Sequence, residues 1–153
     1  MDREKTHSPA RSEFQMREWP FFWVLRINAR YLQVMESVLK PVGLDVPRWR
    51  VLMVLYDGEH MSVSEIAEIC VIKLNTTTKI IQRMVADGLV VTRPRASDGR
   101  VTEVTLTRAG VALRHRGWAE AEKVRERVYK GLDEAERKEM TEMLKGMFER
   151  LAD

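Results

Sequence analysis

Cysteine is nearly absent from this sequence. Cys70 is the only one in 153 residues, so no disulfide can form within the chain and a reducing compartment fits. Long apolar runs are missing too. Apolar stretches such as Phe21–Leu25 fall far short of the roughly 20 residues that cross a bilayer. The opening segment MDREKTHSPARSEF holds no apolar core of the kind a signal peptide needs. Together these absences predict a cytoplasmic protein with no membrane partner. Three histidines, His7, His60 and His115, are scattered with no second ligand at metal spacing, so no metal site is expected. Neither a glycine-rich phosphate loop nor a nucleophile–base pattern occurs at a recognisable spacing, which argues against an enzyme and against a cofactor.

What the chain does contain is apolar material for one core, 44% of its residues, and 32% charged residues to solvate its surface. That balance excludes intrinsic disorder and fits one domain. The net charge is only +3, but it is unevenly spread. Residues 1–72 sum to −1 and residues 117–153 to −2, whereas residues 73–116 carry nine basic and three acidic groups, a net of +6. A basic block inside an otherwise neutral chain is the electrostatic footprint expected of phosphate binding. The bland alternative is a solvated surface with a chance imbalance.

Hydrophobic spacing and stop signals predict a mostly α-helical chain with one small β-hairpin. Residues 1–13 read as a flexible tail. Pro20 opens a long helix that Pro41-Val42-Gly43 ends, and a second runs over about Pro47–Tyr56, stopped by Asp57-Gly58. Ser62 or Ser64, with Glu65 three residues after the first, signals a short third helix to about Ile69. A fourth covers about Leu74–Asp87 and ends at Gly88. The period then changes. Leu89–Arg93 is β-branched, Ala96–Arg100 contains the Asp-Gly hairpin signal, and Val101–Leu106 alternates like a returning strand. Thr107 caps a fifth helix from about Arg108 to Lys130, and Leu132-Asp133-Glu134 opens a sixth to about Leu151.

A short helix, a tight turn, a second helix and then a hairpin form the winged helix-turn-helix arrangement, whose second helix enters the major groove. At 100° per residue, Asn75, Thr76, Lys79, Gln82 and Arg83 fall in a wedge of about 120°, while Leu74, Thr77, Ile81, Met84 and Val85 share the opposite side. The polar wedge has no carboxylate, unlike a generic solvated face, which mixes Glu with Lys. Asn75 and Gln82 suit adenine, Lys79 or Arg83 guanine, Thr76 and Thr78 phosphate oxygens or a thymine methyl, and Lys73 a phosphate at the helix start. In the hairpin, Arg93, Arg95 and Arg100 bracket the turn, where an arginine can enter a narrow minor groove. Asp98 is expected to orient Arg100 or Arg95 through an ion pair. The alternative is a plain Asp-Gly turn with incidental arginines.

The segments Ser64-Glu65-Ile66-Ala67, Lys73–Thr78, Asp87-Gly88-Leu89-Val90, Arg93, Ser97-Asp98-Gly99-Arg100 and Leu106-Thr107-Arg108-Ala109-Gly110 together resemble the multiple-antibiotic-resistance regulator (MarR) family. The resemblance covers nearly the whole chain from about residue 20. It implies an obligate homodimer, joined through its first and last two helices, that binds a double-stranded, pseudopalindromic operator. It also implies a small molecule, often an aromatic acid or phenol, that weakens DNA binding. On this resemblance, residues 14–43 and 108–153 form dimerisation helices around a DNA-binding lobe at 47–107.

The residues themselves bear on those implications. The last two helices carry Trp118, Val124, Val128, Leu132, Met140, Met143, Leu144, Met147, Phe148 and Leu151. That is more apolar surface than a small winged domain needs, and a second subunit would bury it; the alternative is packing within one chain. On the first helix Trp23, Arg26, Ile27, Arg30 and Val34 share a face, with Trp19 and Phe22 near its start, and Trp49, Arg50, Met53 and Tyr56 of the second helix can face them. Aromatic walls with one or two cations suit an aromatic carboxylate of the phenylacetate, hydroxycinnamate, salicylate or indole-acetate type. The alternative is an interface without a ligand. Cys70, with no adjacent basic residue to lower its pKa, is expected to serve packing. The expected function is a ligand-responsive repressor released from its operator by an aromatic acid. Against it stands a winged-helix module for protein contact or non-specific nucleic-acid binding, without an effector.

Overall fold

The computed structural model describes residues 16–58 and 60–151, and within them the elements follow the predicted order. Short 3₁₀ turns at Met16–Glu18 and Lys40–Val42 flank α1 (Pro20–Leu39). After it come α2 (Val46–Gly58), β1 (Met61–Ser62), α3 (Val63–Cys70) and α4 (Leu74–Ala86). The wing is β2 (Val90–Arg95) and β3 (Asp98–Leu106), and α5 (Arg108–Val128) and α6 (Glu134–Glu149) complete the chain. The predicted tail at residues 1–13, His7 included, lies outside the described residues.

Local chemistry sets the boundaries. Gly43 ends the first helical stretch in the left-handed region at φ 83°, where a side chain would clash. Thr107 Oγ1 accepts the Gly110 amide at 3.0 Å to start α5, and Asp133 with Glu136 forms a capping box at α6. One element escapes the sequence. Met61 and Ser62 pair antiparallel with Val104 and Glu103, so the sheet has three strands in the order β1-β3-β2. Two residues are too few to show any period.

The hairpin also differs from expectation at its turn. Ala96 and Ser97 make the turn, and Arg95 already pairs with Asp98 across it. Asp98-Gly99 therefore lies in the returning strand. The usual Asp-Gly hairpin needs positive φ at both residues, and Gly99 does not adopt it. The pairing shifts register between Pro94 and Arg95, and Pro94 is tolerated because β2 is an edge strand.

The chain divides into two compact units, one ending at Val34 and one running from Met35 onward. In the second, Met35, Leu39, Val51, Leu52, Leu55, Ile66, Met84, Val90 and Val104 are fully buried. Helix α2 packs against α3, α4, α5 and β3, so no single stripe describes its buried side. Two glycines let α5 approach its neighbours closely. A Cβ on Gly117 would stand 2.7 Å from the Trp49 ring and 2.9 Å from Leu44. A Cβ on Gly110 would overlap the carbonyl of Leu89, which explains the glycine of the Leu-Thr-x-x-Gly segment. Helix α6 contributes no buried residue, and Trp118, Val128, Leu132, Met143, Leu144, Phe148 and Leu151 are exposed. Among the described residues, no helix is long and apolar enough to cross a membrane, and no group of His, Cys, Asp or Glu is placed to hold a metal ion.

Candidate nucleic-acid interface

The helix-turn-helix begins with a reciprocal cap. Glu65 N donates to Ser62 Oγ at 3.1 Å, and Ser62 N donates to Glu65 Oε2 at 2.6 Å, which identifies Ser62 rather than Ser64 as the cap of α3. The Ser62 amide and then Arg95 hold the Glu65 carboxyl below the usual range. The turn is made at Val71, in the left-handed region at φ 51° and ψ 50°. A β-branched residue there is under strain. Lys73 precedes α4 with no side-chain cap on the first turn, so its amides face outward with the helix dipole.

On α4, Asn75, Thr76, Lys79, Gln82 and Arg83 are all exposed, and Thr77, Ile81 and Met84 are buried. Two apolar positions depart from the expected pattern. Leu74 is 52% exposed and Val85 41%, because Ile80 is buried in their stead. The stripe 77, 80, 81, 84 centres the packing between those four, which leaves 74 and 85 at its edge. Thr78 Oγ1 donates to Leu74 O at 2.9 Å and Thr77 Oγ1 to Lys73 O at 3.2 Å. The Thr78 hydroxyl is thus spent on the helix backbone.

The three wing arginines have different surroundings. Arg100 is the most exposed, and both its Nε and its amide donate to Asp98 Oδ1 at 3.1 Å. Asp98 therefore orients Arg100, the first of its two expected partners, and its carboxyl is held low by that bond. Arg93 Nε donates to Glu103 Oε2 at 3.3 Å and stays largely exposed. Arg95 turns away from solvent, to Glu103 and Glu65. Sequence reasoning passed over Glu103, whose only signal was its place opposite the arginines.

Between the start of α3, the flank of α4 and the wing runs a cleft of about 590 Å³. Ser64, Thr78, Gln82, Thr92, Arg100 and Thr102 contribute its polar wall. Ser64, Thr92 and Thr102 were not foreseen. Their hydroxyls are short, neutral donors of the kind that position a phosphate backbone.

The predicted effector residues fall into separate surroundings. In the first unit, the Arg26 guanidinium lies 5.3 Å from the Phe22 ring centre and 6.0 Å from that of Trp23. Trp19 is close to Phe21, and Ile27 and Arg30 are exposed. In the second unit, Trp49 is a core residue packed on Gly117 and Leu44, and Met53 is half-buried. Arg50 donates to the Cys70 carbonyl. A basic residue thus does stand near Cys70, yet burial pushes the thiol up, which suits packing.

One unforeseen arginine stands out. Arg114 of α5 is 9% exposed, with its guanidinium carbon 3.7 Å from the Tyr56 ring centre and 4.9 Å from that of Trp118. Its Nε has no hydrogen-bond partner among the described residues. His115 meets Tyr56 edge-on, with ring centres 5.7 Å apart. A smaller cleft of about 290 Å³, lined by Leu55, Tyr56, His60, Thr105, Leu106 and Val111, also borders Tyr56. The sequence placed Arg114 on a charged helix with no sign of its burial.

Comparison with known proteins agrees with this fold. A model of the MarR family matches residues 42–101. The chain is 43% identical over 145 residues to the HTH-type transcriptional repressor IacR of Pseudomonas putida, covering 95% of this chain and 87% of that protein. It is 26% identical over 99 residues to the homoprotocatechuate degradative operon repressor of Escherichia coli, 65% of this chain and 67% of that protein. Among solved structures it matches Bordetella bronchiseptica BpsR, whose DNA binding is regulated by 6-hydroxynicotinic acid, with a TM-score of 0.78 and 25% identity over 92% of this chain and 99% of that one.

Proposed function

The chain is a transcriptional repressor of the MarR family, and from that premise we propose that it works as a homodimer that grips an operator with α4 and the wing and is released by a small aromatic carboxylate. The observation that carries the DNA half is the carboxylate-free outer face of α4, which adjoins the hydroxyl-lined cleft and Arg100. Asn75 and Gln82 read adenine, and Lys79 and Arg83 take guanine or phosphate. Lys73 and Thr76 meet phosphate at the helix start. Thr78, its hydroxyl engaged by Leu74, offers its methyl to thymine. Arg100, held by Asp98, enters the minor groove, with Arg93 on the flanking backbone. Such work belongs in the cytoplasm.

Dimerisation is supported by α6, where Met143, Leu144 and Phe148 stay exposed and no residue is buried among the described residues. A second copy burying them, with the exposed apolar residues of α1, sets two α4 helices about one DNA turn apart.

Arg114 supports the effector half. A buried guanidinium between Tyr56 and Trp118, with Nε unsatisfied, is costly unless an acceptor arrives. A carboxylate supplies one, and its ring stacks on the same aromatics. The Phe22, Trp23 and Arg26 stack on α1, in the first unit, has matching chemistry and is a second, separate candidate for the carboxylate, with Trp19, Ile27 and Arg30 in the same unit. Trp49, Met53 and Arg50 lie in the second unit, where Trp49 packs on Gly117 and Arg50 donates to the Cys70 carbonyl. BpsR, whose DNA binding is regulated by 6-hydroxynicotinic acid, and the repressor of the homoprotocatechuate degradative operon are both tied to aromatic acids, which favours this ligand class. Effector preferring one spacing of the two α4 helices shifts the population away from the DNA-bound form.

The test is fluorescence anisotropy at about 150 mM salt, where non-specific binding is weak, with the DNA upstream of the chain's own gene beside a scrambled duplex. Phenylacetate, 4-hydroxycinnamate, salicylate and indole-3-acetate are then titrated into the complex. The expected result is binding about a thousandfold tighter to the upstream DNA, release by one of these acids, and loss of release but not of DNA binding in Arg114→Met. Equal, weak binding to both duplexes would favour a winged-helix module without an effector. Normal release from Arg114→Met would reassign the carboxylate site.

A further inference from the structure

Arg95 lies at the tip of β2, where a DNA-contacting arginine would be placed, yet its side chain points into the protein. Its Nη2 donates to Glu65 Oε2 at 2.8 Å and its Nε to Glu103 Oε1 at 2.9 Å. The side chain is 27% exposed, against 60% for Arg93 and 92% for Arg100. Glu65 Oε2 is the same oxygen that accepts the Ser62 amide at the start of α3. Glu103, 12% exposed, takes Arg93 on its other oxygen. One guanidinium therefore joins three elements: β2 carries it, β3 accepts one arm and the first turn of α3 accepts the other. The register shift between Pro94 and Arg95 coincides with the inward turn of this side chain, as bulges re-aim the residues that follow them.

We propose that Arg95 is a positioning residue for operator binding. It locks the wing to the helix-turn-helix, so that Arg100 stands at a set reach from the outer face of α4, and it does not itself contact DNA. To reach a phosphate it would have to give up two charge-assisted hydrogen bonds, the strong kind, and leave two carboxylates facing the DNA. The fork geometry is essential, because a lysine offers one point charge and cannot span two carboxylates on separate elements. This inference rests on the proposal that the wing and α4 bind the operator together.

The two readings of Arg95 give opposite signs. The probe is a duplex of about three helical turns, selected from a random-sequence pool by the wild-type protein, so that no operator need be known beforehand. If the pool yields no preferred sequence, the operator proposal itself fails, and Arg95 has no operator to position. With a selected duplex, Arg95→Ala should weaken binding about tenfold, the range for losing one arginine contact. Arg95→Lys should weaken it nearly as much, although it keeps the charge. Glu103→Gln should weaken it too, although it removes a negative charge from the DNA side. In an Arg100→Ala background, Arg95→Ala should cost less than about twofold more, because the contact it positions is already gone. Wild-type binding by Arg95→Lys, tighter binding by Glu103→Gln, or losses that multiply in the Arg95/Arg100 pair would each overturn the proposal in favour of a direct phosphate contact. Unchanged thermal midpoints in Arg95→Lys and Glu103→Gln separate these effects from unfolding.

Discussion

Replacing Gly110 with alanine tests how α5 is fastened to the wing. The new Cβ would overlap the carbonyl oxygen of Leu89 and stand 3.1 Å from the carbonyl carbon. That carbonyl is not free to step aside. It accepts Thr107 N at 3.0 Å and Thr107 Oγ1 at 3.1 Å, and the Leu89 amide is bound to Met84 O at 2.9 Å. Pushing α5 outward stretches the bond from Thr107 N and the weaker one from its hydroxyl, which also donates to Gly88 O at 2.7 Å, together worth about 1–2 kcal/mol net. Residual crowding adds about 1–3 kcal/mol. The variant should therefore lose roughly 2–5 kcal/mol, which for a chain of this size lowers the thermal midpoint by roughly 5–15 °C. Gly99→Ala is the matched control. Its Cβ would meet nothing within 4 Å and its φ suits any residue, so it should lie within about 1 kcal/mol of wild type. Calorimetry at matched protein concentration reads both, since self-association would otherwise shift the midpoint. A Gly110→Ala midpoint within about 2 °C of wild type would refute the reasoning. So would an equal loss from Gly99→Ala.

Acid should loosen the wing before the core. The Glu103 carboxyl is held low chiefly by Arg95 and that of Asp98 by Arg100. Their ion pairs therefore stabilise the fold above the ordinary carboxylate pKa of about 4 and are lost as pH falls through the lower, folded values. Amide exchange corrected for intrinsic rates should rise in residues 95–103 below about pH 4 while α2 stays protected; parallel behaviour of the two would contradict this. Val71→Gly should raise the urea midpoint. The left-handed conformation costs a β-branched residue about 1–2 kcal/mol, more than the roughly 0.5–1 kcal/mol of chain entropy that glycine adds. A lower midpoint would show that the turn stores no strain. Phe148→Asp places a charge on the exposed apolar face of α6 and should convert the proposed dimer to monomer in sedimentation velocity, with operator affinity lost; a dimer that survives would move the interface elsewhere.

Much of this protein is written in short-range chemistry. The Ser62–Glu65 box, the Thr107 cap, Gly43 and Gly88 act within three or four residues, so the sequence alone determined where most helices begin and end. The outer face of α4 was legible for the same reason: its residues share one helix, and 100° steps sort them. What lay beyond the sequence depends on residues distant in the chain. The two-residue β1 exists only because β3 runs beside it. The hairpin turns at Ala96-Ser97 because strand pairing, not the Asp-Gly signal, sets the register. Arg95 reads as a free cation until Glu65, thirty residues away, closes on it. Trp49 reads as a ligand wall until Gly117 admits it to the core, and Arg114 reads as a solvated charge until Tyr56 and Trp118 enclose it. Periodicity reports which side of an element is apolar. Only the packed fold decides what each polar side chain meets, because burial and charge pairing are properties of neighbours that the order of residues does not name.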